Sequence, residues 1–452
     1  MVVSWRATCR FIYSAAFLVA LVAPSVAFGQ GGVLVDADGV LRLRRFNDPN
    51  GQLHKQRVAA AKAALDQKLG RKSNLRMVSL TALEAEIGKS LTENKQLTDA
   101  MRHLAGLTRV QYVFYYPDSK DIVLAGPAEG WVEDASGRTV GIETGRPTLL
   151  LEDLIVALRA YGPSQRKGPV ISVSIDPTPE GLRNMQQFLV RLGGNVRPSD
   201  APMIVNGLKT NLGLQKVSIR GVSPRTHFAQ VLVEADYRMK LIGIGLENPG
   251  VGIVSYVAKA NPAAVAQNAL KRWYFVPNYE CVRMSEDGLA AELVGDGVKL
   301  VGADEVVAAD GTRHAAAQED RASTAFTKSF TDKYSQLSAR VPVYGQMRNC
   351  IDLAIVAAHI RQSGIADQAD WQMPVFSSEE KYAVETRNSP VQVETAVNAI
   401  WKGNRLTTPV GGGVNIQAHL ALKSPQPDTD GALKRKQYTS KPHLAPGQWW
   451  WD

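Results

Sequence analysis

Two glycine-rich segments carry the side chains best suited to bind or cleave a ligand. GPAEGW contains Glu129 and Trp131, and GIETGRP contains Glu143 and Arg146. Glycine lets a ligand approach the backbone closely, an indole offers a stacking surface, and two carboxylates held close together can act as general acid and base. These four residues form a candidate sugar or peptide site. The alternative, which the sequence favours, is that the glycines form turns and Trp131 fills the core.

A second charged stretch, HFAQVLVEADYRMKLIGIGLE (227–247), has helical spacing. Glu234 precedes Arg238 by four residues, and Asp236 precedes Lys240 by four. This order favours ion pairs on a helix surface, worth about 0.2–0.5 kcal/mol each. We therefore predict a capped amphipathic helix with solvated pairs on its outer face, and not an active site. Burial of either acid against a polar partner would contradict this interpretation.

The sequence lacks the standard signatures of metal, nucleotide and acyl-transfer sites. Its seven histidines never occur as H-x-H or H-x3-H, and it contains no C-x-x-C, G-x-S-x-G or Walker motif. We therefore predict no metal and no cofactor. Cys281 and Cys350 could form a disulfide in an oxidising compartment. They could equally be free thiols buried in the core, and the sequence leaves both alternatives open.

The first 29 residues have the pattern of a secretory signal peptide. Arg6 and Arg10 precede an apolar run that Pro24 interrupts and that ends in small residues, Ala27 and Gly29. We predict cleavage near Gly29 and export of the mature chain to the periplasm or the extracellular space. An uncleaved anchor is the alternative, because the run approaches the ~20 residues that span a bilayer. No later segment is long and apolar enough to span one, so we expect a soluble mature chain.

The charge distribution narrows the class of partner. The formal net charge is +9, but the basic residues are scattered among acidic ones and form no stripe. A nucleic-acid-binding surface needs such clustering, so we predict no nucleic-acid partner. A modest attraction to a cell-envelope polymer, or binding to an envelope protein, remains compatible with this charge.

Hydrophobic periodicity predicts an α+β fold with mixed sheets, helices largely on one face, an N-terminal helical segment and a C-terminal helical pair. The predicted units, in chain order, are a signal peptide (1–29), a hairpin and helical segment (30–108), a strand-rich α+β domain (109–165), a strand–cap–helix α+β domain (166–315), the helical pair with late strands (316–422) and a disordered basic tail (423–452).

Local signals place several turns and helix starts within these units. Asp-Gly pairs predict hairpin turns that end at Gly39 and Gly297. In the strand–cap–helix unit, Thr178, Ser223 and Asn261 each precede a proline, which predicts three capped helix starts. In the tail, three consecutive tryptophans, Trp449–Trp451, could dock into a partner or a lipid interface, or have no function.

Several segments of the chain also occur in a known family. They are GVLVDADGVLRLR, DIVLAGPAEGW, SIDPTPEGL and EADYRMKLIGIGLE, together with WYFVPNYE, GDGVKL and RNCIDLAIVAAHI. Through them, the chain resembles the large secreted planctomycete proteins that are catalogued as a domain of unknown function. The resemblance spans nearly all of the mature chain. It implies export and bacterial origin, but no activity, cofactor or catalytic residue.

The function that the sequence supports best is a non-catalytic envelope or extracellular protein that binds a partner or serves as a scaffold. The alternative is a secreted hydrolase acting on glycan or peptide, with Glu129, Glu143 and Arg146 at its site. A cleft that brings the two carboxylates together beside Trp131 would favour the enzyme. The sequence does not decide whether the protein is an enzyme.

Overall fold

The structure is a computed structural model. It describes residues 30–46, 48–162, 169–193, 197–260, 269–303, 305–307, 313–315, 321–398, 410–442 and 444–452. The predicted signal peptide (1–29) and the predicted helix start at Asn261 lie outside the described residues.

The strands of the described chain follow one another in this order: β1 (Gln30–Val35), β2 (Val40–Phe46), β3 (Ser73–Ser79), β4 (Tyr112–Tyr116), β5 (Asp121–Ala128), β6 (Trp131–Glu133), β7 (Thr139–Gly141), β8 (Ile171–Asp176), β9 (Gln215–Arg220), β10 (Ala269–Pro277), β11 (Val282–Met284), β12 (Ala290–Leu293), β13 (Val298–Gly302), β14 (Glu305–Val307), β15 (Arg313–Ala315), β16 (Gln392–Val393), β17 (Val410–Ile416), β18 (Gln426–Pro427) and β19 (Trp450–Trp451).

The helices of the described chain are α1 (Gln52–Ala64), α2 (Gln67–Gly70), α3 (Leu80–Thr92), α4 (Asp99–Arg102), α5 (Leu151–Ala160), α6 (Pro179–Leu192), α7 (Ala201–Leu212), α8 (His227–Gly243), α9 (Tyr256–Lys259), α10 (Arg321–Asp332), α11 (Tyr334–Arg340), α12 (Pro342–Gln362), α13 (Ile365–Gln368), α14 (Ala418–Ala421) and α15 (Ala432–Thr439). The predicted α+β class is confirmed, and α10 to α12 contain the predicted helical pair.

The described strands form two large sheets and one small hairpin. The first sheet has the order β1-β2-β16-β9-β8-β17-β10-β14-β15, with β13 also paired to β10. The second has the order β18-β11-β12-β4-β5-β3-β19, and β6 pairs with β7. Both large sheets combine strands from several of the predicted units, so the predicted boundaries do not coincide with the sheets.

Helices α5, α8 and α12 form the centre of the molecule. Helix α8 packs against β8, β10 and β17 of the first sheet, while α12 packs against both α5 and α8. Side chains from these helices and from both large sheets share one hydrophobic core. Helix α12 is buried on all sides over most of its length, since every residue from Val343 to Ile360 is buried.

Local sequence signals have mixed outcomes in the structure. The hairpin at Gly39 is confirmed, with β1 antiparallel to β2. Thr178 caps α6 as predicted, because its side chain accepts a hydrogen bond from the Gly181 amide. For α8, however, the cap is Thr226 and not Ser223. The predicted hairpin at Gly297 is also wrong, since β12 and β13, on either side of this turn, belong to different sheets.

The predicted disordered tail (423–452) is wrong for the described residues. Strand β18 pairs with β11, and α15 packs on β12. At the end of the chain, Trp450 and Trp451 pair with β3, Trp449 is buried, and Asp452 accepts two hydrogen bonds from the buried Arg76. The tryptophans therefore complete a sheet edge, which composition alone does not reveal.

Candidate functional site

Glu129 is a buried residue whose carboxylate holds a neighbouring turn. It accepts hydrogen bonds from the amides of Glu143 (2.8 Å) and Thr144 (3.2 Å), and from the Thr144 hydroxyl. The carboxylate lies so close to Gly141 that a Cβ there would come within 2.0 Å of Oε1. This carboxylate is thus committed to the backbone of the turn.

The other three predicted site residues do not converge on a ligand position. Trp131 is buried, with its ring centroid 5.5 Å from that of His103. Glu143 is half exposed and lies 3.6 Å from Lys72, and Arg146 is exposed. The structure therefore brings the Glu129 carboxylate to the backbone of residue 143, not to a second free carboxylate, and Trp131 does not provide an open stacking surface.

Helix α8 forms where the sequence predicts it, but its charged side chains are buried. The predicted pairs are present, with 3.3 Å between Glu234 and Arg238 and 2.8 Å between Asp236 and Lys240. The prediction of a solvated face is wrong, because the first sheet covers one side of α8 and α12 covers another.

Glu234 lies in a network of ionic hydrogen bonds that links several elements. Both of its oxygens accept from Arg138, at 2.5 and 2.6 Å. Arg138 lies in the β6–β7 turn and also donates from Nε to Gln346 of α12 at 2.9 Å. Arg238 donates to Glu247 at 2.9 and 2.6 Å. Since Arg138 is 96 residues away in sequence, no local pattern indicates this partner.

His227 connects this network to α5. Its Nδ1 lies 2.9 Å from Asp153, and its Nε2 lies 3.3 Å from the Gln346 amide nitrogen. Burial opposes the protonation of His227, but the Asp153 carboxylate outweighs it, so the pKa of His227 is raised above its ordinary value. The pair resembles the histidine–carboxylate part of a catalytic triad, yet the distal nitrogen faces an amide and not a nucleophile. We interpret it as a structural pair.

The second buried pair on α8 faces the first sheet. Lys240 donates to Asp236 and, at 3.1 Å, to the carbonyl oxygen of Ile175 in β8. Burial raises the pKa of Asp236 to about 6, although Lys240 acts in the opposite direction. Burial also disfavours the charged form of Lys240, so it lowers the pKa of this side chain. The pair anchors α8 to the sheet.

A cleft of about 880 Å³ opens beside these helices. Its walls come from α5, from the loop that precedes α8, from the C-terminal half of α12 and from the segment 364–385. Thr226, the cap of α8, lines it directly before the buried His227. Both apolar and charged side chains line it, namely Val156, Ile360, Trp371, Met373, Phe376, Arg159, Arg361, Asp367, Glu379 and Glu385.

The irregular wall of the cleft is held by a buried carboxylate from α3. Glu84 accepts hydrogen bonds from the Trp371 indole (2.5 Å) and from the amides of Val375 and Phe376 (2.7 Å each). Within the same wall, Met373 has a φ of 51°, in the left-handed region that non-glycine residues seldom adopt. Such conformations persist where the surroundings over-determine them, commonly at binding sites.

A partly buried arginine from α5 holds the second part of this wall. Arg159 donates to the carbonyl oxygens of Phe376 (2.7 Å), Ser378 (2.8 Å) and Tyr382 (2.7 Å), and pairs with Glu379. Glu379 in turn accepts from the amides at positions 384 and 385. These charged groups therefore bind the wall itself and do not face into the cleft as free charges.

The structure offers little for metal or thiol chemistry. Among the described residues, no group of three or more histidine, cysteine, aspartate or glutamate side chains is arranged to hold a metal ion. Cys281 and Cys350 are both buried free thiols. Burial raises the pKa of the Cys281 thiol to about 12 and that of Cys350 well above its ordinary value, so neither is a ready nucleophile.

Fold and site together define an α+β protein in which a layer of helices carries buried charge networks beside an open cleft. Residues 173–256 match the model of a family described as "Protein of unknown function (DUF1598)". The match begins in β8, contains all of α8 and ends at the start of α9, so the predicted resemblance to a domain of unknown function is confirmed there. Neither the curated proteins nor the solved structures yield a match. Among the described residues, none of the helices combines the length and the hydrophobicity that a membrane span requires.

Proposed function

We propose that the protein is an exported, non-catalytic binding protein of the bacterial envelope or extracellular space, and that the cleft holds its partner. The observation that carries this proposal is the preformed wall at residues 371–385. Glu84 and Arg159 fix an irregular segment in one conformation, which reduces the entropy lost on binding. The signal-peptide pattern of residues 1–29 supports export.

The side chains that face the cleft indicate the chemistry of the partner. Val156, Ile360 and Met373 provide an apolar surface. Asp367 and Glu385 also line the cleft, and neither carboxylate has a hydrogen bond or ion pair to a described residue. A partner that places a positive charge beside an aliphatic group would satisfy both features. A peptide segment containing lysine and leucine has this chemistry.

Binding can be tested with two matched peptides. We expect the protein to bind a capped lysine–leucine hexapeptide in calorimetric titration and to bind the glutamate–leucine analogue far more weakly. Replacing both Asp367→Asn and Glu385→Gln should weaken binding by about tenfold, since each partly exposed ion pair contributes on the order of 1 kcal/mol or less. Glu380→Gln is the control, because Glu380 is exposed on the same segment but does not line the cleft.

Four results would contradict parts of the proposal. Failure of the wild-type protein to bind either peptide, or equal binding by the double variant and the control, would remove the cleft as the site. Cleaved peptide in the mass spectrum after titration would show catalysis. For export, expression of the full chain in a bacterial host should release a protein whose N-terminus lies near residue 30; an uncleaved chain in the cytoplasm would contradict that part.

A further inference from the structure

Arg348 on α12 is a buried arginine that has no ion pair to a described residue. Only 5% of the residue is exposed, and its Nε has no hydrogen-bond partner among the described residues. Asp352, one helical turn further along, is bound by Arg109 instead, with 3.1 Å between Nε and Oδ2. A single carboxylate thus faces two guanidinium groups.

Polar atoms of the neighbouring groups are also left unpaired within the described part of the chain. Nη2 of Arg109 is buried without a partner among the described residues, as is Oδ1 of Asp352. Burial, followed by the positive charge of Arg109, lowers the pKa of Arg348; Asp352 opposes this effect and the exposed Arg146 adds to it. Asp296, in the turn before β13, acts on Asp352 in turn. The geometry places all three arginines at one stretch of α12, since Arg109 pairs with Asp352 and Arg146 directly precedes Pro147, whose carbonyl oxygen accepts a hydrogen bond from Asn349 at 3.3 Å.

Water alone does not resolve this arrangement. Ordered water can satisfy the unpaired Nε of Arg348 and Nη2 of Arg109, but it cannot neutralise a buried charge. An anion does both. The guanidinium group presents its N–H donors in a planar fork that matches a carboxylate, sulfate or phosphate group.

We propose that Arg348, Arg109 and Arg146 form a binding site for one oxyanion, either a free ion or a group borne by a sugar. Arg348 and Arg109 provide the buried donors, and Arg146, in the turn that Glu129 holds, lies at the solvent side of the site. This site is separate from the cleft: Arg348 and Ala357, the α12 residue nearest to it that lines the cleft, are nine residues apart, or about 14 Å along the helix axis.

The test is a thermal-unfolding titration of the full mature chain at constant ionic strength, with chloride as the reference anion. We expect phosphate or sulfate to raise Tm saturably, as does any ligand that binds only the folded state. Acetate tests the carboxylate form, and N-acetylglucosamine 6-phosphate tests the sugar-borne form. A larger shift with the sugar phosphate than with free phosphate would assign the group to a sugar; the reverse would assign it to a free ion.

Three variants separate binding from folding. Arg348→Gln should abolish the saturable shift, and Arg146→Gln, at an exposed position, should weaken the apparent affinity several-fold without affecting the fold. Arg183→Gln on α6 is the control, because Arg183 is exposed and far along the chain from the site. In chloride alone, Arg348→Gln should be at least as stable as the wild type, since it removes an unmatched buried charge.

The proposal is overturned if the wild type responds to no oxyanion beyond the chloride reference, or if Arg146→Gln and Arg183→Gln behave alike. If Arg348→Gln does not fold, the comparison of Arg146→Gln with the control still decides.

Discussion

Replacing Glu234 tests the largest difference between the sequence-based interpretation and the structure. As a surface pair, Glu234 and Arg238 would contribute about 0.2–0.5 kcal/mol. In the structure, only 4% of the Glu234 side chain is exposed, and both of its oxygens bind Arg138. Glu234→Gln would leave Arg138 buried without a counter-charge, whereas Arg238 would keep Glu247. We therefore expect a loss of roughly 3–5 kcal/mol in the free energy of unfolding.

The measurement is urea denaturation followed by circular dichroism. The control is Asp332→Asn, which breaks the Lys328–Asp332 pair; this pair has the same four-residue spacing, but its side chains are 73% and 54% exposed. We expect the control to cost less than about 0.5 kcal/mol. A double variant, Arg138→Met with Glu234→Met, should recover part of the loss, because it removes both buried charges together.

The reasoning would be refuted if Glu234→Gln cost no more than Asp332→Asn. A second refuting result concerns the double variant. If its loss of stability equals the sum of the losses of Arg138→Met and Glu234→Met, the two charges are not coupled.

Three further predictions follow from the buried groups. The pKa of His227 is raised, so its pairing with Asp153 stabilises the fold fully below pH 6.5, the ordinary pKa of histidine, and this contribution is lost as the pH rises through the folded-state pKa. His227→Gln should therefore flatten the dependence of Tm on pH, and an unchanged profile would contradict this. Cys281 and Cys350 should react with Ellman's reagent only after unfolding, and reductant should leave Tm unchanged; a fall in Tm on reduction would instead indicate a disulfide. Deleting residues 444–452 should lower Tm, because it removes β19 and the partner of the buried Arg76, whereas a dispensable tail would leave Tm unaffected.

The features that the sequence predicts correctly are those that nearby residues determine. The hairpin at Gly39 depends on a positive φ that glycine adopts readily, and the start of α6 depends on Thr178 and the proline after it. The apolar periodicity of α12 indicates a buried helix for the same reason. In each case the determining residues lie within the element itself or directly beside it.

The features that the sequence misses depend on distant partners. Whether Glu234 faces solvent is decided by the strands and by α12, which cover α8, and its main partner is 96 residues away. The role of Glu129 likewise depends on a distant segment. The turn at Gly141 packs directly against the Glu129 carboxylate and encloses it. A charged residue at helical spacing has the same sequence pattern in both environments, so periodicity cannot distinguish them.

Buried charge in this protein is of two kinds, and the difference indicates where ligands bind. The Glu234–Arg138 pair is satisfied within the chain, and apolar replacements of similar volume often stabilise a fold as well as such pairs do. Its role is therefore to fix how α8 meets the β6–β7 turn and α12. Arg348 has no ion pair to a described residue, and its buried Nε has no hydrogen-bond partner among them. A charge left unmatched by its own chain is where the charge of a ligand is expected. The proposed cleft site instead offers carboxylates that are not buried, on the exposed Asp367 and the half-buried Glu385, so the two proposed sites would select groups of opposite charge.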